Sequence, residues 1–125
     1  MKSLPAAIAI AAAALAPAAY ADCSYPPAPT QLPDGSTATL AQMLSAQKAE
    51  QAYNEEMNAY LSCIHLERDS RVAQAGDTLS KQQKAALVAI EDQKHNAAID
   101  QLHAVADRFN AQVKIFKSRD KKSDD

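Results

Sequence analysis

The chain has 125 residues, 47% of them hydrophobic, and a formal net charge of −2 at pH 7. Residues 1–21 have the pattern of an export signal, and of the 104 residues that follow only 20 are Val, Ile, Leu, Met or Phe. We therefore predict one small domain with a thin core, which excludes the large enzyme folds. After the signal, 12 basic and 15 acidic residues leave a net charge of −3, which argues against a broad cationic surface for nucleic acid.

The first 21 residues combine Lys2, an apolar stretch over 4–15 and a small-x-small pattern at 19–21. These are the parts of a secretory signal peptide cleaved after residue 21. The residue before Cys23 is Asp22, whereas a lipoprotein signal has a small residue there. We therefore predict a soluble periplasmic or extracellular protein that is not a lipoprotein, with no integral membrane span.

Cys23 and Cys63 are the two cysteines of the chain. Two metal thiolates or a redox-active pair are alternatives, but the sequence has no Cys-x-x-Cys and no local ligand spacing. An even number of cysteines in an oxidising compartment predicts one structural disulfide.

Residues 22–36 are predicted to form an extended, proline-rich arm. From Cys23 to Ser36 a polyproline-like chain would span about 40 Å at 3.1 Å per residue. A helix from Thr37 to Cys63 would span about 39 Å at 1.5 Å per residue. Because the two lengths match, the arm can run antiparallel along the first helix and be pinned by the disulfide.

The rest of the chain has no proline, and its only glycine is Gly76. This composition predicts helices over 37–75 and 80–117, joined by a turn over 76–79. Hydroxyls at 36–39 can cap the first helix, and Ser80 with Gln83 forms a capping-box pattern for the second. The predicted fold is all-α, a long antiparallel two-helix hairpin, followed by a disordered charged tail over 118–125.

Apolar residues recur at helical spacing in both segments. Folding the chain about Gly76 sets residues whose numbers sum to roughly 155 opposite each other. This register places Met57 opposite Ala98, and Leu40 opposite Phe116. We call the apolar contact between the two helices the seam. Between residues 67 and 86 this apolar contact weakens, so we expect a polar, mobile end near the turn.

Six large residues of these stripes are candidates for an adaptable interaction surface, although the same residues can simply be the core. A two-helix hairpin leaves part of each apolar stripe exposed, which predicts a homo-oligomer or an envelope protein partner. The six are Met43, Tyr53, Met57, Tyr60, Phe109 and Phe116.

His65, Glu91 and His95 form the best candidate metal cluster, because Glu91 and His95 are four residues apart and the hairpin brings His65 near them. Pairs of this kind are also common on solvated helices, so no metal or other cofactor is predicted. The sequence lacks a phosphate loop, G-x-S-x-G and H-E-x-x-H. We therefore predict that the protein is not an enzyme.

Several segments together resemble a group of small exported proteobacterial proteins of uncharacterised function. The resemblance implies an envelope location and a helical hairpin, and it brings no activity or binding residue with it. The segments are Pro33-Asp34-Gly35, Tyr60-Leu61-Ser62-Cys63, His95-Asn96-Ala97-Ala98 and Val105-Ala106-Asp107-Arg108-Phe109-Asn110.

A second segment, Leu79-Ser80-Lys81-Gln82-Gln83, is similar to the Leu-Thr-x-x-Gln motif of periplasmic chaperones of the Spy and CpxP type. That resemblance implies a small helical chaperone or stress adaptor that forms dimers. Helix capping explains the same five residues. The predicted function is thus a non-enzymatic, exported protein that acts through protein contacts, with a chaperone and a metal-binding protein as alternatives.

Overall fold

A computed structural model describes residues 22–123, which form two long helices and a short turn. Helix α1 spans Leu40–Ala75 and helix α2 spans Lys81–Ser123, with a 3-10 turn over Gly76–Thr78 between them. Within these residues there is no strand. The predicted helical hairpin is therefore confirmed, whereas the predicted signal peptide, residues 1–21, lies outside the described residues.

Helix α1 begins after a turn and a cap. Asp34 Oδ1 accepts hydrogen bonds from the backbone N–H and the hydroxyl of Ser36, which lower the pKa of Asp34. Thr39 then caps the helix, because its hydroxyl accepts from the Gln42 N–H while Gln42 Oε1 accepts from the Thr39 N–H. The turn occupies residues 35–37, so α1 starts at Leu40 and not at the predicted residue 37.

The turn of the hairpin is made by Gly76 and by the cap of α2. Gly76 has φ +51°, in the left-handed region that favours glycine, and its N–H donates to the Val72 carbonyl. Ser80 accepts from the Gln83 N–H, and Gln83 Oε1 accepts from the Ser80 N–H. The predicted capping box of the second helix is thereby confirmed.

Helix α2 continues to Ser123, which corrects the predicted helix end at residue 117 and the predicted disordered tail from residue 118. No proline or glycine follows Gly76 to stop the helix. Lys121, in the last turn, also favours the end of a helix, where the carbonyl dipoles are negative. Charge density in this segment is thus compatible with helix.

Two clusters of buried side chains hold the helices together. Met57 and Ala98 belong to the same cluster, as the register predicts. Leu40 is 61% exposed and belongs to neither cluster, so it is not the core residue that the register predicts. Phe116 packs instead against a cluster that contains Ala38. The first cluster is Tyr53, Met57, Tyr60, Ile64, Ala98 and Val105; the second is Ala38, Met43 and Phe109.

Cys23 and Cys63 form a disulfide with their Cα atoms 5.7 Å apart, which confirms the predicted bridge. Cys23 and Ala28 are partly buried against the first cluster, and Leu32 is partly buried against the second. Residues 22–34 contain no helix or strand. That this segment forms an arm extended along α1 stays a prediction.

The turn before α1 touches α2 closely at Gly35. The Gly35 N–H donates to Gln112 Oε1 at 2.9 Å. A Cβ atom at Gly35 would lie 2.1 Å from the Gln112 carbonyl oxygen and 3.0 Å from the Phe116 backbone nitrogen. Only glycine therefore permits this approach of the turn to the backbone of α2.

Replacing both cysteines with serine should destabilise the fold substantially. The disulfide closes a loop over a sequence separation of 40, and loss of such a crosslink costs about 4 kcal/mol in the chain-entropy treatment. Urea unfolding of the wild type and of Cys23→Ser/Cys63→Ser measures the difference. As a control, a reductant should destabilise the wild type and leave the double variant unchanged. Equal unfolding free energies for the two proteins would contradict the prediction.

Gly35→Ala should lower the free energy of unfolding by about 1–3 kcal/mol, because the added methyl group collides with backbone atoms that cannot rotate away. Thr37→Ala, at an exposed position of the same turn, is the matched control and should change stability little. Thermal melting of both variants checks this. If Gly35→Ala melts with the control, the contact between the turn and α2 is not formed.

Candidate functional site

A cluster of charged side chains connects the two helices in the half of the hairpin nearer the turn. On α1, His65 Nδ1 lies 3.3 Å from Glu91 Oε1 of α2, and Arg68 Nη1 donates to Glu91 Oε2. Glu91 is only 9% exposed. A carboxylate at that depth requires a charged partner, and Arg68 supplies it from the opposite helix.

Arg68 organises the exposed side of this cluster as well. Its Nε and Nη2 atoms donate to Asp69 Oδ1 at 3.0 and 2.8 Å. The hydrogen bond to Asp69 raises the pKa of Arg68; partial burial opposes this, and the charges of Asp69, Glu91 and Asp92 add to it. Arg68 Nη2 also lies 2.9 Å from His65 Nδ1. The guanidinium is therefore a permanent cation between two carboxylates.

The three candidate metal ligands are brought together only in part. His65 and Glu91 are in contact, but His95 is exposed, and no group of three His, Cys, Asp or Glu side chains within residues 22–123 could hold a metal ion. The guanidinium of Arg68 already forms a salt bridge with the Glu91 carboxylate. The hairpin thus brings His65 to Glu91, as the register predicts, and leaves His95 apart from them.

A recess lies beside this ion pair, lined by Ile64, Leu87, Ile90 and the stems of charged side chains. Its volume is about 40 Å³, whereas small-molecule sites occupy roughly 300–1,000 Å³. The recess has room for about one water molecule. The cluster thus has the properties of a structural tie between the helices.

Three tyrosines meet near the disulfide. The rings of Tyr25 and Tyr60 pack edge to face with centroids 5.0 Å apart, and Tyr53 is buried. Burial, followed by the neighbouring Tyr25, raises the pKa of both Tyr53 and Tyr60. The Tyr53 and Tyr60 phenols therefore stay neutral at physiological pH, and the three rings serve as packing groups.

The six candidate interaction residues divide differently from the prediction. Five of them, Met43, Tyr53, Met57, Tyr60 and Phe109, are buried inside the hairpin. The sixth, Phe116, is half-buried, with the Arg119 guanidinium 4.7 Å from its ring centroid. Burial makes the five unavailable to a partner in the folded chain, which agrees with the alternative that these residues are simply the core.

Comparison with known proteins does not identify a function. The chain matches no known protein family, no curated protein and no solved structure. Within residues 22–123 no helix is long and apolar enough to cross a membrane. The two resemblances drawn from the sequence stay predictions, so a function has to be argued from the chain's own residues.

Sequence reasoning missed Arg68, the side chain on which the charged cluster depends. One signal could have indicated it: Arg68 is three residues after His65 and shares its helix face. The register alone does not reveal the ion pair, because 68 and 91 sum to 159 and the guanidinium reaches across about one helical turn. A long side chain makes contacts that a register of Cα positions does not show.

Glu91→Gln should lower the free energy of unfolding by about 2 kcal/mol, because it leaves the partly buried Arg68 without its counter-ion on α2. Asp92→Asn removes the same charge at the adjacent, exposed position and should cost less than about 0.5 kcal/mol. Urea unfolding at neutral pH compares the two variants. Equal losses would show that the Arg68 to Glu91 bridge contributes nothing beyond general surface charge.

Proposed function

We propose that this protein is exported, has no catalytic activity and acts through protein contacts, above all with further copies of itself. One observation carries the proposal: within residues 22–123, as many large apolar side chains are exposed as are buried. The exposed ones are Tyr25, Leu40, Leu44, Leu66, Val88, Ile90 and Ile115; the buried ones are Met43, Tyr53, Met57, Tyr60, Ile64, Val105 and Phe109.

The physical reason is that two helices cannot enclose their own apolar surface. Leu40 and Leu44 are one turn apart on α1 and are 61% and 48% exposed. Leu61 and Leu102 are only partly buried beside the first core cluster. Each Å² of apolar surface removed from water contributes about 25 cal/mol. A second hairpin that covers such surface would complete a four-helix arrangement.

The disulfide supports the exported location. Bridges such as Cys23 to Cys63 form and persist in the periplasm or outside the cell and are rare in the cytosol. The signal pattern of residues 1–21 agrees with this compartment. A small domain with a thin core gains most from a crosslink in such surroundings.

In this proposal residues 22–36 are an extended arm that lies along α1 and covers one flank of the seam. Three observations support that placement. Tyr25 packs on Tyr60, Leu32 reaches the second core cluster, and the Gly35 turn is hydrogen-bonded to Gln112. One flank is thus closed by the chain's own arm, and the opposite flank is left for a partner.

Sedimentation equilibrium of the mature chain, residues 22–125, tests the proposal. From low to high micromolar concentration we expect the mass of a dimer or a larger assembly, because the exposed apolar side chains favour association. A strict monomer over the whole range would contradict it. If that monomer suppressed the aggregation of an unfolded client at stoichiometric amounts, the alternative chaperone function would replace self-association.

A further inference from the structure

One exposed face of α2 carries charges that are sorted by sign along the helix. Its members follow one another at spacings of three, four or seven residues, which places them on a single face. The acidic members all precede Asn110 and the basic members all follow it. This α2 charge stripe consists of Asp100, Asp107, Asn110, Lys114, Lys117 and Lys121, all of them exposed.

The charges of the stripe have no ion-pair partner within residues 22–123. The separation of acidic from basic residues does not stabilise α2 by itself. Like charges three or four residues apart, as at Lys114, Lys117 and Lys121, repel by about 0.2–0.5 kcal/mol per pair. The helix dipole acts only within the first and last turns, whereas Asp107 and Lys114 lie in the interior of α2.

We propose that the α2 charge stripe is the contact surface for a second copy of this chain, whose α2 packs against it in the antiparallel direction. A two-fold axis near Asn110 places the acidic half of each copy against the basic half of the other. The inference rests on the self-association proposed above and adds to it a charged contact surface, separate from the exposed apolar side chains, that fixes the orientation of the two copies. His103, on the same face, falls in the acidic half.

The geometry of α2 fits this arrangement over its whole length. From Asp100 to Lys121 the helix rises about 32 Å at 1.5 Å per residue. When two stripes lie antiparallel over this length, acidic residues of one copy face basic residues of the other at both ends. A parallel copy would set lysines against lysines, and close like charges cost several kcal/mol. Charge therefore selects the antiparallel pair.

The centre of the stripe also has the shape of a contact. A surface recess there is lined by Asp107, Asn110, Ala111, Val113 and two lysines. Val113 is partly buried against the second core cluster, and Ile99, two heptads before it, is partly buried as well. Ala111 is exposed and small, which permits a close approach of the second helix, and the accessible parts of Ile99 and Val113 lie beside the stripe. In the proposed dimer the charges of the stripe orient the two copies, and the apolar side chains beside the stripe become buried.

A charge-reversal experiment on the mature chain tests the proposal. Asp100→Lys/Asp107→Lys makes the stripe wholly cationic, and Lys114→Glu/Lys117→Glu/Lys121→Glu makes it wholly anionic. Each variant alone should dimerise at least about tenfold more weakly than the wild type, because like charges meet across the axis. An equimolar mixture of the two should recover a dimer, measured by sedimentation equilibrium, with helicity verified by circular dichroism.

The control is Lys48→Glu/Glu55→Lys, which exchanges two exposed charges on α1 and should leave the dissociation constant unchanged. If the wild type dimerises and the stripe variants dimerise equally well, self-association stands and the α2 charge stripe is overturned. Failure of the mixture to recover a dimer from two folded, weakened variants also overturns it. A wild type that remains monomeric refutes the proposed self-association and this inference together.

Discussion

The bond between Cys23 and Cys63 joins the non-helical segment before α1 to the second half of that helix. Apart from the bond, the segment contributes partly buried residues such as Ala28 and Leu32 to the two core clusters. A domain with so few buried side chains gains little from the hydrophobic effect alone. The crosslink restricts the unfolded chain, so less contact energy is needed to keep the segment in place.

The two ends of the hairpin are held by different forces. From the first turn of α1 to the disulfide, the helices meet through apolar clusters, with Met57 and Val105 essentially excluded from water. Between residues 65 and 90 no residue is buried, and the tie across the seam is the ion pair of Arg68 with Glu91. This division agrees with the polar end that the sequence predicts near the turn.

The helices and the turn could be predicted because each depends on local chemistry. Gly76 is the one glycine after residue 35, and the caps at Thr39 and Ser80 are made within four residues of sequence. The disulfide was predicted from the cysteine count together with the predicted compartment. Where only periodicity and register were available, as at Met57 and Ala98, the centre of the seam was still predicted correctly.

The charged cluster and the ends of the seam could not be predicted in the same way. Leu40 has the spacing of a core residue, but Ala38 and Leu32 cover the second cluster from outside the helix and leave Leu40 in water. Burial there depends on how a non-helical segment folds back. The partner of Glu91 depends on which long side chain reaches it, and Arg68 lies away from the strict register.

The position of the single crosslink also determines how the folded chain responds to proteolysis. A cut between Cys23 and Cys63 leaves both fragments covalently joined, since each retains one cysteine of the bridge. A cut at the exposed turn Gly76–Thr78 separates α2 from everything else, because α2 contains no cysteine. That turn is therefore the place where one hydrolysed peptide bond leaves the hairpin held by non-covalent contacts alone.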